Sequence, residues 1–267
     1  MRVDPVAGTR SWLATVPLPA PTTRGEDQMT DGPGDQPATE QQRSLAAPSL
    51  VEDVLLLLFQ PRSGTIAGEN TLFYVLGGAV LAELALTGRA EIRSSGRFSS
   101  AVHVLGGTPP EDELLRPAWG YAAQKPRNVQ TVLAAVGPEL REPVLDRLVE
   151  RGDLNREERK TLGIFRTTRL TEGSGRRQQL LDAVRAVLVG RDDPTPRTAA
   201  AAALLSASGM LPQFDPEIPW GSRTHDRGKE LEQGSWGASA AAAAVTRTTV
   251  AIVSASVSTS TTTLPGS

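Results

Sequence analysis

The sequence contains no cysteine and only two histidines, His103 and His225. Without cysteine the chain forms no disulfide, no cysteine-ligated zinc or iron–sulfur centre and no thiol nucleophile. No partner pattern marks either histidine as a catalytic base, and no phosphate-binding, dinucleotide-binding, zinc-protease or nucleophile-elbow motif is present. The sequence therefore predicts no metal site, no cofactor and no enzymatic activity.

An excess of charge of either sign is also absent. The 267 residues include 28 Lys and Arg against 30 Asp and Glu, with a sequence pI of about 5.8. Nucleic-acid-binding proteins usually carry a basic excess, so no nucleic-acid partner is expected. Only three of the cations are lysines, and the planar fork of arginine suits phosphate, although a compositional bias of the genome gives the same excess without function.

The chain has few aromatic residues, 4% in all, and long apolar runs are absent. Residues 71–86 are the best candidate for a membrane span, but the segment is too short and contains Glu83. The N-terminus has no continuous apolar stretch like that of a secretory signal. We therefore expect a cytoplasmic protein, one that could still lie on the cytoplasmic face of a membrane.

Composition divides the chain into three parts. Residues 1–47 are rich in proline and contain Trp12 as their one aromatic residue, which predicts a disordered leader. Residues 254–267 are rich in Ser and Thr and uncharged, which predicts a disordered tail. Residues 48–253 between them are numerous enough to form one sizeable core.

Within residues 48–253, apolar residues at helical spacing predict a compact, mainly α-helical domain. Ser49 and Glu52 have the spacing of a capping box at the start of the first helix, and Asn70 is the predicted cap of the second. Helices are predicted over residues 50–59, 70–87, 111–123, 129–136, a segment ending at 151, 178–189, 196–208 and 235–253.

The period changes at residues 90–105, which predicts a β-hairpin with its turn at residues 94–96. Residues 164–170 predict one more short strand. Three helices are followed by a glycine suited to a left-handed cap, Gly88, Gly152 and Gly209. The turn at residues 173–175, Gly-Ser-Gly, is predicted to cap a helix rather than to hold a phosphate.

Three phrases together carry a family resemblance. They are Leu-Val-Glu-Asp-Val-Leu-Leu-Leu at residues 50–57, Leu-Ala-Glu-Leu-Ala-Leu-Thr-Gly-Arg at 81–89, and Leu-Val-Glu-Arg-Gly at 148–152. With these phrases the chain resembles the Golgi phosphoprotein 3 family, including its bacterial members, over about residues 49–253. The resemblance implies a mainly α-helical domain with a protruding β-hairpin and no enzymatic activity.

The resemblance also implies a function. Eukaryotic members bind phosphatidylinositol 4-phosphate at the cytoplasmic face of Golgi membranes and act as adaptors that retain glycosyltransferases. Their headgroup site uses a tryptophan before the second helix, an arginine within it, and two arginines ahead of the Leu-Val-Glu phrase. In this sequence these positions hold Gly68, Gly77, Pro138 and Arg141.

Arg141 is therefore the predicted lipid-binding residue. The alternative is a surface arginine that pairs with Glu142 or Asp146. Because Pro143 prefers the first turn of a helix and restricts the residue before it, Arg141 is expected just ahead of the helix proper.

In the family the hairpin helps in membrane contact or oligomerisation, so the resemblance also implies a homo-oligomer formed through it. On the predicted hairpin, Arg93 and Arg97 flank Phe98. This combination suits an anionic bilayer, and it is equally ordinary for a solvated turn.

Two functions remain open at this point. The first is a non-enzymatic peripheral membrane protein that binds an anionic phospholipid headgroup and acts as an adaptor. The second is a soluble protein-interaction scaffold that has lost the headgroup site, with a protein as its partner. Gly68, Gly77 and Pro138 motivate the second hypothesis.

Overall fold

The structure, a computed structural model, describes residues 47–96, 99–161, 165–190, 192–234 and 250–253. Apart from Ala47, the predicted leader and tail lie outside the described residues, as do residues 235–249 of the last predicted helix. Residues 250–253, at the end of that helix, are helical.

Most of the described residues are in helices, which confirms the mainly α-helical fold. The α-helices are α1 (Leu50–Leu58), α2 (Leu72–Leu86), α3 (Arg116–Ala123), α4 (Val129–Val136), α5 (Arg141–Glu150), α6 (Arg176–Arg185), α7 (Pro196–Ala207) and α8 (Ser222–Glu232). Two 3₁₀ turns, Gly137–Glu139 and Leu211–Phe214, and a π-helical turn, Ala186–Gly190, extend or connect them.

The strands form three small antiparallel sheets. They are β1 (Phe59–Gln60) with β2 (Thr65–Ile66), β3 (Ala90–Gly96) with β4 (Ser99–Val104) and β5 (Arg127–Asn128), and β6 (Leu154–Thr161) with β7 (Phe165–Glu172). The β3–β4 pair confirms the predicted hairpin, with Ala90 opposite Val104. Its turn was placed wrongly, because β3 continues through an irregular register to Gly96.

Two of the longer elements, β6 and α8, were not predicted from the sequence, and neither were the short strands β1, β2 and β5. The predicted strand at residues 164–170 belongs to a longer hairpin, β6–β7, whose partner strand β6 is too charged to show an apolar period. Helix α8 is not among the predicted helices, because its buried face is mostly polar and approaches α7 through a glycine. A Cβ at Gly228 would lie 2.4 Å from the Ser206 hydroxyl oxygen.

Two predicted helix starts were also wrong. Helix α3 begins at Arg116 rather than at residue 111, after a series of turns. Helix α2 begins at Leu72 with Thr71 as its N-cap, not Asn70, and the Thr71 hydroxyl donates to the carbonyl of Gly68 at 3.2 Å. The chain before α2 is therefore a tight turn, and Glu69 lies in this turn.

Helix α2 is the central helix and is buried along nearly its whole length. Its two adjacent glycines, Gly77 and Gly78, let other elements approach closely. A Cβ at Gly77 would lie 3.1 Å from Leu133 Cδ2 in α4, and one at Gly78 would lie 2.8 Å from Ile252 Cγ2. The space beside this pair is filled by neighbouring side chains.

The three predicted glycine caps are all confirmed. Gly88, Gly152 and Gly209 have φ angles of 65°, 74° and 73°, in the left-handed region that glycine adopts without strain. After α2, the amide of Gly88 donates to Ala85 and that of Arg89 donates to Leu84, which completes a Schellman motif. Gly152 ends α5 in the same way.

Buried charges gather at the N-terminal end of α1. Glu52 has no exposed surface and accepts hydrogen bonds from the backbone amide (2.8 Å) and hydroxyl (2.7 Å) of Ser49, which confirms the predicted capping box. Arg151, directly after α5, donates to the second carboxylate oxygen at 2.5 Å, and Arg147 lies 3.7 Å from Glu52. These contacts join α1 to α5.

A second group of contacts joins α1 to α2 and α7. Arg197 donates to Asp53 at 2.7 Å, to Glu83 at 3.0 Å and to the carbonyl of Pro48 at 2.6 Å. Glu83 also accepts the backbone amide of Leu50 at 2.6 Å. One guanidinium therefore satisfies two nearly buried carboxylates and fixes the chain where it enters α1.

A third arginine brings in α6. Arg176 pairs with both Asp53 and Asp153, whose side chains are each only 6% exposed. The hydroxyl of Ser174 donates to Asp153 at 2.6 Å and accepts the amide of Arg176 at 3.2 Å. The Gly-Ser-Gly turn thus supports the start of α6.

The ion pairs around the start of α1 together make up what we call the α1 charge network. It consists of Glu52, Asp53, Glu83, Asp153, Arg147, Arg151, Arg176 and Arg197.

We expect Arg197→Ala to lower the free energy of unfolding by about 3 kcal/mol, because Asp53 and Glu83 would lose their shared cation while remaining buried. Urea-induced unfolding followed by circular dichroism measures this loss. The matched control is Arg93→Ala, which removes an exposed arginine paired with Glu91 and should cost at most about 1 kcal/mol. Equal midpoints for the two variants would contradict a stabilising role for the network.

Candidate functional site

Arg141, the predicted lipid-binding residue, is the first residue of α5. The expectation that it precedes the helix is therefore wrong by one position, and Pro143 lies in the first turn, where proline is tolerated. The Arg141 side chain is 39% exposed. Its guanidinium is thus accessible from solvent while its stem packs against the protein.

Two carboxylates hold the Arg141 guanidinium. Glu69, in the turn before α2, accepts hydrogen bonds from Nε at 3.1 Å and from Nη2 at 2.9 Å. Nη1 pairs with Glu142, as one of the sequence alternatives predicts, whereas Asp146 pairs with Arg156 at 2.6 Å. The hydrogen bond with Glu69 is the largest cause that raises the pKa of Arg141, so this side chain stays charged.

A cavity of about 130 Å³ opens beside this ion pair. Its lining combines apolar side chains from the first turns of α2 with the 3₁₀ turn before α5, namely Glu69, Leu72, Phe73, Leu76, Gly137, Pro138 and Arg141. Pockets for drug-sized ligands usually measure about 300–1,000 Å³. This cavity therefore has room for one small group, with any larger ligand extending outside it.

Gly137 forms a close contact in the cavity wall. A Cβ at this position would lie 2.3 Å from the backbone carbonyl oxygen of Phe73. The 3₁₀ turn and the start of α2 therefore touch backbone to backbone. This contact holds the Glu69 turn and the Arg141 helix start at a fixed separation.

The positions carried over from the family resemblance divide into two pairs. Pro138 and Arg141 line the cavity, whereas Gly68 and Gly77 are not among its lining residues. A Cβ at Gly68 would lie 3.1 Å from the sulfur of Met210, and one at Gly77 would lie 3.5 Å from the Cα of Leu133. Each glycine therefore lies against a neighbouring side chain, and a larger residue at either position requires that side chain to shift.

The hairpin residues form a separate surface. Arg93 lies on β3, is 58% exposed and pairs with Glu91 on the same strand. It does not line the Arg141 cavity. Arg97 and Phe98, which the sequence assigns to the same membrane contact, lie outside the described residues.

Within the described ranges, no group of three or more histidine, aspartate or glutamate side chains could hold a metal ion. His103 is on β4 opposite Glu91, and His225 is exposed and lies beside Asp226. In the same part of the chain, no helix combines the length and the apolar character needed to cross a bilayer.

The family model for Golgi phosphoprotein 3 (GPP34) matches residues 50–248, most of the described helical domain. The chain belongs to this family. No curated protein matches the chain.

The phrases that reveal Golgi phosphoprotein 3 membership have a structural role in this chain. Glu52 and Asp53 come from the first phrase, Glu83 from the second and Arg151 from the third, and all four take part in the α1 charge network. These residues tie helices together and do not line the cavity. The three phrases therefore identify residues that hold the helices together rather than residues that line the cavity.

Sequence reasoning missed Glu69, which accepts two hydrogen bonds from Arg141. The two residues are 72 positions apart, and neither helical period nor family phrases link them. The one feature of the sequence that could have indicated this partner is that Glu69 is acidic and directly follows Gly68, one of the headgroup positions taken from the resemblance.

Gly77→Arg, which reinstates the family's helix arginine, should destabilise the protein by about 1–3 kcal/mol, because α4 occupies the space around position 77. Chemical denaturation gives the change in the midpoint. Gly120→Arg is a matched control, since Gly120 is in α3 with nothing within 4 Å of an added Cβ. That variant should be neutral or more stable by about 0.5–1 kcal/mol, because glycine is a poor helix former. A Gly77→Arg protein as stable as wild type would show that the position is open.

Proposed function

We propose that this Golgi phosphoprotein 3 family protein is a non-enzymatic peripheral membrane protein that binds an anionic phospholipid headgroup and acts as an adaptor. The observation that carries the proposal is Arg141, whose side chain is 39% exposed and lines a small cavity, in a position that the resemblance associates with the headgroup. Phosphatidylinositol 4-phosphate is the headgroup that the resemblance implies.

The geometry supports binding of a phosphate group rather than of a whole headgroup. Guanidinium and phosphate form short, charge-assisted hydrogen bonds, and the two Arg141 nitrogens now held by Glu69 are the ones a phosphate would use. The sugar or glycerol portion would lie outside the small cavity. The near-neutral chain provides little general attraction to a membrane, so this contact would be local.

The proposal includes self-association through the β3–β4 hairpin. Within the described residues β3 is at the outer edge of its three-stranded sheet, with β4 on its other side. An edge strand has unpaired backbone groups that a second copy could use. Together with Arg93, this edge would bring several Arg141 sites onto one cytoplasmic membrane surface.

A second candidate function is a soluble scaffold that binds a protein partner. The observation that favours it is the packing of Gly68 against Met210 and of Gly77 against Leu133, where a larger side chain would require these neighbours to move. Under this hypothesis Arg141 is a surface residue paired with Glu69 and Glu142.

Vesicle co-sedimentation separates the two candidates. We expect the full chain to bind phosphatidylcholine vesicles that contain phosphatidylinositol 4-phosphate at low ionic strength, and Arg141→Ala to abolish most of this binding because a phosphate would lose its bidentate donor. Vesicles with phosphatidylserine in place of the phosphoinositide test headgroup preference.

Arg223→Ala is the control, since it removes one exposed cation of α8 and should leave binding unchanged. Both variants should fold normally, because exposed ion pairs contribute little to stability. Failure of the wild-type protein to bind any anionic vesicle, together with recovery of a stoichiometric protein partner in a pulldown, would favour the scaffold. Undiminished binding by Arg141→Ala would rule out the cavity as the lipid site.

A further inference from the structure

The Arg141 cavity already contains an anionic group that belongs to the protein. The Glu69 carboxylate makes the bidentate contact that a phosphate would otherwise make, on Nε and Nη2. Glu142 takes the remaining terminal nitrogen. Every nitrogen of this guanidinium is therefore engaged by a carboxylate.

The local charge balance opposes a second anion. Arg141 pairs with Glu69 and Glu142, and Arg156 pairs with Glu142 at 3.4 Å and with Asp146 at 2.6 Å, so two guanidiniums face three carboxylates and the cluster carries a net negative charge. A phosphate that binds through Nε and Nη2 displaces Glu69 from Arg141 and leaves that carboxylate close to its own charge, where like charges repel. The side chains of Arg141 and Glu69 are 39% and 47% exposed, so salt weakens this repulsion.

Of the two carboxylates paired with Arg141, Glu69 is the one placed to compete. It lines the cavity, whereas Glu142 is not a lining residue and is 63% exposed. The position of Glu69 is fixed by its turn, in which the amides of Thr71 and Leu72 donate to the carbonyls of Gly68 (2.9 Å) and Glu69 (3.4 Å). The turn is thus held by backbone contacts that do not involve the Glu69 side chain.

We propose that Glu69 is an internal competitor for Arg141 that occupies the anion-binding position of the cavity and sets its affinity for phosphate groups. This inference rests on the proposed anion binding at Arg141. A ligand must exchange places with Glu69, so neutralising that one carboxylate increases affinity. Glu69 is therefore an affinity-determining residue, although it would itself repel the ligand.

The test compares wild type with Glu69→Gln, which keeps the shape of the side chain and removes its charge. Vesicles of phosphatidylcholine with phosphatidylinositol 4-phosphate measure binding to a lipid phosphate. We expect Glu69→Gln to bind about two to five times more tightly, the gain that corresponds to removing one half-exposed ion pair. Glu113→Gln, which loses the same charge from an exposed pair with Arg116 outside the cavity, should bind like wild type.

A second readout needs no lipid. The full chain is treated with phenylglyoxal, an arginine-selective reagent, and modification of Arg141 is followed by peptide mass spectrometry. Arg141 should react faster in Glu69→Gln than in wild type or Glu113→Gln, because its guanidinium is no longer held. Protection of Arg141 by inorganic phosphate in the Glu69→Gln protein tests a free phosphate in place of a lipid.

The outcomes separate this inference from the proposed function. If wild type binds vesicles through Arg141 but Glu69→Gln matches it in both affinity and labelling, the competitor role is overturned and lipid binding stands. If no variant binds vesicles, the lipid-binding proposal fails, and the rate of Arg141 labelling alone tests whether Glu69 occupies the guanidinium. Faster labelling of Glu69→Gln then supports occupation of Arg141 by Glu69, and unchanged labelling overturns it.

Discussion

The fold depends on the pairing of buried carboxylates with arginines around the N-terminal end of α1. Glu52, Asp53 and Glu83 are almost fully removed from water, and a carboxylate in that environment is costly unless cations and hydrogen bonds surround it. The arginines that satisfy them come from α5, α6 and α7. The helices therefore have to meet in one arrangement for these charges to be tolerated, which gives the apolar core a defined geometry that hydrophobic contact alone does not impose.

The same arrangement explains why the family can be recognised from short phrases. A buried, charged and hydrogen-bonded position accepts few substitutions, whereas a half-exposed one such as Arg141 or Glu69 has fewer contacts to satisfy. The chain therefore combines a charge network that includes residues of the family phrases with a cavity whose Arg141–Glu69 pair lies outside those phrases. In this cavity Glu69 pairs with Arg141, and Pro138 stands where the resemblance places a second arginine.

Features set by neighbouring residues could be predicted from the sequence, and features set by distant contacts could not. The capping box of Ser49 and Glu52 and the left-handed Gly88 are local, so their patterns are visible in the chain. Helix α8 lacks an apolar stripe because Gly228 packs directly on α7, and propensity cannot reveal such an approach. The Arg141 position followed from the resemblance, but its pairing with Glu69 arises only when α2 and α5 come together.

The contact between α2 and α4 at Gly77 also couples the residues at positions 77 and 133. Leu133 occupies the volume beside the glycine with its side chain, and its Cα lies 3.5 Å from where a Cβ would be. A larger residue at 77 therefore depends on a smaller one at 133 or on a shift of the helix, so the effects of the two substitutions should be non-additive. The side chain at position 77 is therefore constrained by helix packing, independently of any ligand that the cavity binds.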